Sequence, residues 1–390
     1  MKSPFALGWL LTSLQLALRP GWGVVAVVFA VSLHLTPVEI GAVVFLFYLG
    51  YTSSSVLWGA IIDREGPRKA MFVSATFSGL LLPLVFLAKN VGELYAIYLV
   101  EGGLTAGIYP SAVKVVSASG GSLTLYLAVL DSAAPVVTLV VSSLSGEILS
   151  GWALYCVTLS LGLVLGGLIT LFLKVSTLKS TQVRKVLLDR RVIYVSLIRA
   201  GEQWGLWGTS SWLFPFLVLY DGVPVKLSEI LFLLYGVGQF ASTLVSGLLS
   251  RTVDDVKLVK VTLAVFVALV FALPLAKEAS LLIPLSFLLG VFSFIYRPPT
   301  DSLVVKVMGS RYAGTSMGFA NAISQGGSMM APLFVGEVIS LGLKGFVMDS
   351  LAFGPLASLA LVTLVIKGKS GEDEKSTGAS FLLDDSRPIQ

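Results

Sequence analysis

The chain has 390 residues, of which 55% are hydrophobic and 13% are charged, and its mean hydropathy is +0.89. Soluble proteins carry roughly 25% charged residues, so a soluble chain of this composition would expose its core and aggregate. The composition therefore predicts a polytopic membrane protein whose main solvent is the lipid bilayer. The single cysteine, Cys156, and the single histidine, His34, exclude a disulfide framework and argue against a metal site.

Apolar stretches recur along the whole chain. A helix needs about 20 apolar residues to cross the roughly 30 Å of hydrocarbon in a bilayer. We predict twelve such spans, at residues 6–34, 38–60, 69–88, 92–116, 122–149, 152–174, 191–220, 227–249, 257–276, 279–308, 312–340 and 345–366. Their Leu, Val, Gly and Ala content suits packed membrane helices rather than barrel strands. The sequence therefore predicts an all-α membrane protein with twelve transmembrane helices, the first of them an uncleaved N-terminal span.

The basic residues predict the orientation of the spans. If the N-terminus faces the cytoplasm, most of the 27 Lys and Arg residues lie in cytoplasmic segments, whereas the outer loops carry Lys89, Lys226, Lys277 and Lys344. Cytoplasmic loops of membrane proteins are enriched in Lys and Arg. We therefore expect a multi-pass protein of the cell membrane with both termini cytoplasmic. The same asymmetry accounts for the net charge of +5 without a nucleic-acid partner.

The longest polar interruption divides the spans into six and six. It reads KVSTLKSTQVRKVLLDRR, residues 174–191. We predict an N-terminal six-helix bundle over residues 1–174, a cytoplasmic linker over 175–190 and a C-terminal six-helix bundle over 191–366. The polar tail over 367–390 is predicted to be cytoplasmic and disordered.

Short sequence matches relate the two halves. GEILS, residues 146–150, ends the fifth span, and GEVIS, residues 336–340, ends the eleventh. VKVV at 113–116 and VKVM at 305–308 occupy matching positions in the fourth and tenth spans. These matches favour two parallel, pseudo-symmetric halves. Secondary transporters have this arrangement, with the substrate site between the halves near the bilayer midplane.

The second and third spans are joined by GAIIDREGPRK, residues 59–69, which packs five charges into one turn. This segment resembles the loop signature of the major facilitator superfamily, which reads Gly, three residues, Asp-Arg, one residue and Gly-Arg-Lys. Pro67 is an insertion in that pattern, and GLLSRTVDDVK, residues 247–257, is a degraded copy in the second half. The residues that match the signature are Gly59, Asp63, Arg64, Gly66, Arg68 and Lys69.

The resemblance covers about residues 5–366 and implies the facilitator fold, two six-helix bundles that transport small solutes. It also implies a cytoplasmic gate made by the matching loop residues. In the superfamily the acidic residue, here Asp63, meets the dipole-positive start of helix eleven, here around Arg311 to Thr315, and helps to hold the cytoplasmic side closed. Arg297 and Asp301 lie near the same side, where snorkelling or a gate pair explains them as well as substrate contact does.

Other signatures of the superfamily are weaker. EGGLTAGIYP, residues 101–110, has the spaced glycines and proline of helix four, but Glu101 stands where the superfamily commonly has Arg. Pro135 and Gly146 are the only remnants of the helix-five cluster typical of drug antiporters. Proton-driven drug efflux is therefore the less favoured alternative.

Ionisable residues inside the predicted spans require an explanation, because inserting a charged side chain at a helix centre costs about 2.5–3.5 kcal/mol on insertion scales. Arg19, Glu101 and Asp131 all fall near the midplane of the first half. We interpret Glu101 and Asp131 as candidate proton carriers. Arg19 either sets their protonation or contacts an anionic group of the substrate. A structural ion pair between Arg19 and either carboxylate is the alternative.

The second half carries its own candidates for substrate binding or coupling. The repeat places the uncharged Asn321 opposite Asp131, and Arg199 and Glu202 lie in the inner part of the seventh span, next to Trp204. Snorkelling towards the interface is the alternative for Arg199. Tryptophans on the first and seventh spans together suit a partly apolar solute, although packing is the better explanation for each one individually: Trp22, Trp204, Trp207 and Trp212.

Together these features predict a secondary active transporter that moves a small organic solute by alternating access, coupled to protons. The transport alternatives are a multidrug-type efflux antiporter and an uncoupled uniporter. A membrane receptor or scaffold is the alternative outside transport, but it needs no ionisable residues in cavity-facing helices. An enzyme is not expected, because His34 alone supplies neither a nucleophile with its base nor a metal site. We expect no cofactor, and we expect a monomer.

Overall fold

The computed structural model describes residues 3–117, 129–173, 189–249, 253–276, 278–308 and 313–365. All regular secondary structure in these ranges is helical, which confirms the all-α prediction. The α-helices are α1 (Ser3–Ser32), α2 (Pro37–Glu65), α3 (Pro67–Leu81), α4 (Val91–Thr105), α5 (Ile108–Ser117), α6 (Ala133–Ser143), α7 (Ser145–Ser150), α8 (Trp152–Thr170), α9 (Arg190–Pro215), α10 (Val225–Leu249), α11 (Asp255–Ala272), α12 (Ala279–Phe294), α13 (Arg297–Met308), α14 (Ala313–Ser340), α15 (Val347–Ser350) and α16 (Phe353–Val365). Short segments of 3₁₀ helix follow α3 (Leu82–Leu87) and α11 (Leu273–Leu275), and a π-helical segment follows α9 (Phe216–Tyr220).

The predicted spans match either one helix or two consecutive helices in the described ranges. By length and composition, six helical segments in the described part of the chain are able to cross a membrane: Pro4–Ser32, Pro37–Ser55, Pro67–Leu87, Trp152–Thr170, Asp255–Leu275 and Lys344–Val365. A count of twelve requires that pairs such as α4 and α5 each form one span. Residues 122–128, 175–188 and 367–390 lie outside the described residues, so the domain boundaries stay a prediction.

Polar side chains begin several helices at the loops. Thr36 and Glu39 form a capping box at the start of α2, with Thr36 N–H donating to Glu39 Oε2 at 2.7 Å. Such caps satisfy backbone N–H groups that have no partner within the helix. The side chains of Asn90 and Asp254 likewise accept backbone N–H groups at the starts of α4 and α11. We call the end of the bundle with Thr36 and Asn90 the Thr36 side, and the end with Gly66 and Asp254 the Gly66 side.

Gly66 makes the turn between α2 and α3. Its φ of +88° lies in a region that residues with a Cβ rarely adopt, so the turn requires glycine. Pro67 occupies the first position of α3, where a missing N–H costs nothing and the fixed φ of proline suits the helix. The proline that interrupts the sequence motif is therefore compatible with this turn.

Two of the predicted spans are interrupted at matching places. The chain leaves the α-helix at residues 106–107, between α4 and α5, and again at residues 295–296, between α12 and α13. A 3₁₀ segment that begins with Leu-Pro follows α3 in the first half and α11 in the second. Hydropathy did not predict these interruptions, and their correspondence supports the pseudo-symmetry inferred from the short sequence matches.

Close helix contacts at glycine residues also occur at matching places in the two halves. A Cβ on Gly102 would overlap the carbonyl oxygen of Phe47, and a Cβ on Gly290 would overlap that of Tyr235. Helix α4 therefore packs backbone to backbone on α2, and α12 packs likewise on α10. Small residues permit this close approach between membrane helices, where packing supplies much of the association energy.

We expect Gly102→Ala to lower the melting temperature of the purified protein by several degrees, and Gly103→Ala to leave it unchanged or slightly higher. The methyl group at position 102 meets a backbone atom that cannot rotate away, and overpacking costs about 1–3 kcal/mol. A Cβ added at position 103 would lie 3.7 Å from its nearest neighbouring atom, which is an ordinary contact. Thermal unfolding in detergent measures both variants, and equal melting temperatures would contradict the packing.

Contacts between the two halves run from the middle of the helices to the Thr36 side. A Cβ on Gly41 of α2 would overlap the carbonyl oxygen of Pro332, and a Cβ on Gly336 of α14 would overlap that of Pro37. Gly23 of α1 approaches the backbone of α9 in the same part of the bundle. Side chains between α1, α2, α9 and α14 near the helix middles therefore lie at the boundary between the halves.

Candidate functional site

The guanidinium of Arg19 lies among four aromatic rings at this boundary. Its Cζ is 5.7 Å from the ring centroid of Phe47, 5.0 Å from that of Tyr48 and 5.4 Å from that of Tyr51, all on α2. The fourth ring is Trp207 on α9, at 4.9 Å. We call these four rings the aromatic box. Because α2 and α9 belong to different halves, the box is built by both.

Arg19 is 7% exposed and forms no ion pair within the described part of the chain. A cation over an aromatic face gains about 0.5–2 kcal/mol, whereas removing an ion from water costs several kcal/mol even after relaxation. The rings therefore offset the burial of this charge only in part. A hydrogen bond with the Tyr51 side chain adds to this offset, and no carboxylate of the described ranges pairs with the guanidinium.

Two buried donors in the box lack acceptors. Arg19 Nε and Trp207 Nε1 have no hydrogen-bond partner within the described part of the chain. Guanidinium and indole groups only donate hydrogen bonds, so the partners that would satisfy them must be acceptors. Buried polar groups in proteins are rarely left without a partner. The hydroxyl of Tyr48, another ring of the box, also lacks a hydrogen-bond partner in the described ranges.

Polar residues of α9 and α14 meet on the Gly66 side of the box. Arg199 is 2% exposed, and its Nη2 donates to Asn321 Oδ1 at 2.7 Å. Gln325 and Ser328 follow Asn321 at helical spacing on α14 and are buried. The structure thus brings two of the predicted site residues together, across the contact between α9 and α14.

Glu202 faces the contact with α13. The Thr300 hydroxyl donates to Glu202 Oε1 at 2.6 Å, and the Tyr296 hydroxyl donates to the carbonyl oxygen of Glu202 at 3.0 Å. On the next residue, Gln203 Oε1 accepts a hydrogen bond from Arg297 Nη1 at 3.1 Å. These contacts connect α9 to the interrupted span formed by α12 and α13. The side chain of Asp301 lies outside the part of the chain that the structure describes.

Glu101 is buried inside the first half, at 1% exposure. The Ser78 hydroxyl of α3 donates a hydrogen bond to its Oε1. Its Oε2 has no partner in the described ranges, and Glu101 forms no ion pair there. The adjacent Gly102 packs on the backbone of Phe47, whose ring belongs to the aromatic box. Glu101 is therefore one helix contact away from Arg19 and does not touch it.

Asp131 lies closer to the Gly66 side and is half-buried. The Tyr109 hydroxyl of α5 donates to Asp131 Oδ1 at 2.8 Å. Next to it, Trp9 Nε1 of α1 donates to Ser132 Oγ at 3.4 Å. Asp131 therefore belongs to the contact between α1, α5 and the start of α6, separate from both Glu101 and the aromatic box.

The tryptophans divide into packing residues and one site residue. Trp22, Trp204 and Trp212 donate their indole N–H groups to the carbonyl oxygens of Ile40, Ser350 and Pro332. Trp204, which the sequence suggested as a candidate, also packs on the ring of Phe334 at 5.5 Å. Trp207 instead faces Arg19.

Sequence reasoning missed the rings of α2. Phe47, Tyr48 and Tyr51 stand in the stretch FLFYLGY, residues 45–51. Positions three and four apart lie on one face of a helix, so this clustering of aromatic residues was the available signal. It could not have indicated that the face meets Arg19.

The gate loop is described only in part. Glu65 and Lys69 form an ion pair at 2.7 Å, and both side chains are more than half exposed. Solvent screens a surface pair of this kind, and the hydrogen bond from Lys69 lowers the pKa of Glu65. The side chains of Asp63 and Arg64, and the predicted contact near Arg311, lie outside the described residues.

The described residues contain no group of three or more His, Cys, Asp or Glu side chains that could hold a metal ion. Cys156 is buried and unpaired in α8.

Comparisons with known proteins agree with this fold. The family model described as Major Facilitator Superfamily matches residues 7–332. The chain is similar in structure to a bacterial homologue of the human lysosomal transporter Spinster, in inward-facing occupied and unoccupied conformations, with a TM-score of 0.70, 15% identity and coverage of 92% of this chain and 93% of that chain. It is also similar to a mutant of the nucleoside transporter NupG, with a TM-score of 0.73, 16% identity and coverage of 93% and 99%. At these identities the likeness shows the fold alone, and no curated protein sequence matches the chain.

Proposed function

The chain belongs to the major facilitator superfamily and is a multi-pass membrane protein, and from this premise we propose that it is a proton-coupled secondary transporter of a small organic solute. The observation that carries the proposal is the aromatic box around Arg19. Three of its rings belong to the first half and Trp207 belongs to the second. A solute bound there contacts both halves, so its binding energy is able to bias their relative position.

Alternating access is supported by where the halves touch. The backbone approaches at Gly41 and Gly336 lie on the Thr36 side, and similar structures of the Spinster homologue are inward-facing. We propose that the protein is closed on the Thr36 side and that this side faces outwards. The excess of basic residues in segments on the Gly66 side supports cytoplasmic termini in the cell membrane.

Proton coupling is supported by the environment of Glu101. A carboxylate buried without a cation is costly, and the neutral form is favoured instead. Such a group binds a proton until a conformational change admits water or a cation. Asp131 is the second candidate, because it is only half-buried and already accepts a hydrogen bond from Tyr109. An uncoupled uniporter is the alternative if neither carboxyl group exchanges protons.

An uptake screen tests the proposed function. Purified protein is reconstituted in liposomes and offered organic anions, sugars, amino acids and cationic dyes at two external pH values. We expect saturable uptake of at least one class, with accumulation above equilibrium under a pH gradient. Saturable uptake that only equilibrates under every gradient would indicate a uniporter. A protein that binds solutes but moves none of them would be a receptor.

Asp63→Asn tests the proposed cytoplasmic gate. In the superfamily the loop carboxylate stabilises the closed cytoplasmic side, so its loss is expected to enrich the inward-open state and slow transport several-fold without unfolding the protein. Reactivity of cysteines introduced on the Gly66 side, in a Cys156→Ala background, measures the shift. The pair Glu65 and Lys69 provides the control, because Glu65→Gln removes a solvent-exposed charge of the same loop. Equal reactivity in Asp63→Asn and the parent would leave the loop as a topology signal alone.

A further inference from the structure

Within the proposed transport function, we propose that the substrate is an organic monoanion, a ring-bearing carboxylate whose oxygens accept hydrogen bonds from Arg19 and Trp207. Its apolar body would pack on Phe47, Tyr48 and Tyr51. This inference rests on the proposed function only in treating the bound ligand as the transported substrate. The binding site itself stands on the geometry of the box.

The buried groups of the box that lack hydrogen-bond partners indicate the charge of the ligand. Arg19 Nε and Trp207 Nε1 are both buried donors without acceptors in the described ranges, and neither group is able to accept a hydrogen bond. The Tyr48 hydroxyl also has no partner there, and it is able to donate a hydrogen bond to the same acceptor. A ligand with donors alone would leave both unsatisfied and would place a second positive charge beside a buried guanidinium. A carboxylate supplies acceptors and a compensating charge together. Its planar pair of oxygens also matches the planar fork of an arginine.

The aromatic rings of the box indicate which kind of body the carboxylate is attached to. The guanidinium carbon lies 4.9–5.7 Å from four ring centroids, so an anion that reaches it must lie among aromatic surfaces. A small hydrated anion would lose its water there without gaining apolar contact. An aromatic body gains offset or edge-to-face contacts with the rings. The box therefore favours an anion with an attached ring over an inorganic or short aliphatic one.

The nearby arginines do not offer an equivalent site. Arg199 already donates to Asn321 at 2.7 Å, and Arg297 donates to Gln203 at 3.1 Å. Among the cations whose side chains the structure describes, Arg19 is the one that combines deep burial, an unsatisfied donor and aromatic walls. One such cation suits one negative charge, which is why the inference specifies a monoanion.

Four matched probes test the inference on the purified full-length protein: benzoate, benzamide, benzylamine and cyclohexanecarboxylate. Benzoate and benzamide share size and ring and differ in charge, whereas cyclohexanecarboxylate keeps the charge without the aromatic ring. We expect benzoate to raise the melting temperature in a saturable manner and to change tryptophan fluorescence. Cyclohexanecarboxylate should bind several-fold more weakly, and the amide and the amine should have no effect.

Variants locate the binding. Arg19→Gln should weaken benzoate binding at least tenfold, and Arg19→Lys should weaken it less, because the charge remains without the planar fork. Trp207→Phe keeps a ring, removes the indole donor and should weaken binding several-fold, so it tests the site even if Arg19→Gln fails to fold. Trp204→Phe is the matched control, since Trp204 donates to the backbone of Ser350, and it should leave benzoate binding unchanged.

Three results would overturn the inference: no saturable effect of benzoate, equal binding of benzamide or benzylamine, or benzoate binding that is unchanged in a folded Arg19→Gln variant. Uptake into liposomes separates this failure from that of the transport proposal. Transport of benzylamine or benzamide with no binding of benzoate would overturn the substrate class and keep the transporter. Binding of benzoate at Arg19 in a protein that transports no solute would keep the site and overturn the transporter.

Discussion

Gly41→Val should abolish transport while the protein remains folded. A side chain at position 41 would overlap the carbonyl oxygen of Pro332, a backbone atom of the other half. The clash exists only while α2 and α14 are together on the Thr36 side. In a transporter with alternating access these helices separate there in the opposite state, which accommodates valine. A cost of about 2 kcal/mol to the closed state alone would change the ratio of the two states roughly thirtyfold.

Distances between spin labels measure this change directly. Labels at Ser32→Cys and Ser340→Cys, in a Cys156→Ala background, lie at the Thr36-side ends of α1 and α14. We expect Gly41→Val to lengthen this distance and to stop uptake. Gly345→Val is the control, because a Cβ at position 345 meets no atom within 4 Å, and it should behave like the parent. An unchanged distance in a folded, inactive Gly41→Val variant would contradict separation of the halves on this side.

Comparing substitutions at Gly41 and Gly102 gives a second test of whether the two halves separate on the Thr36 side. Gly102 packs on Phe47 within one half, a contact that a rigid half keeps in every state. A side chain at position 102 is therefore expected to destabilise the whole protein. A side chain at position 41 should change the balance between states instead. This difference depends on the two halves moving as bodies, which the sequence suggested through its repeats.

Much of the fold could be predicted from the sequence, because bilayer thickness is a strong constraint. The predicted starts of α9 and α14 lie within one residue of the observed ones, Arg190 and Ala313. Charges and capping residues cluster where the chain leaves the hydrocarbon, so hydropathy changes sharply at helix ends. Interruptions inside the apolar stretches, as at residues 106–107, change hydropathy very little, and the sequence did not indicate them.

The candidate site was only partly predictable. A charged residue in an apolar span is conspicuous, so Arg19, Glu101, Asp131 and Arg199 could be selected from the sequence. Their partners could not, because a helix buried on many sides has no amphipathic pattern that fixes its rotation. We expected carboxylates beside Arg19 as one interpretation. The structure places aromatic rings there, and it places Glu101 against Ser78.

Glu101→Gln should abolish accumulation of the transported solute under a pH gradient while exchange at equal pH continues. Glutamine is close to glutamate in size, and its Oε1 is able to accept the hydrogen bond that Ser78 donates, so the contact between α3 and α4 should survive. What glutamine cannot do is bind and release a proton. If Glu101 carries the coupled proton, the variant should still move solute down its own gradient and lose the dependence on proton gradients.

The comparison with other carboxyl groups makes this test specific. Glu93→Gln, on the exposed Thr36-side end of α4, should keep accumulation at the parental level. Asp131→Asn distinguishes the two candidates: loss of accumulation in this variant alone would assign the proton to Asp131, where Tyr109 already donates a hydrogen bond. If Glu101→Gln and Asp131→Asn both still concentrate solute against its gradient, both groups are structural. The buried, half-satisfied carboxyl of Glu101 would then serve only to hold α3 and α4 together, and the driving ion would have to act elsewhere in the protein.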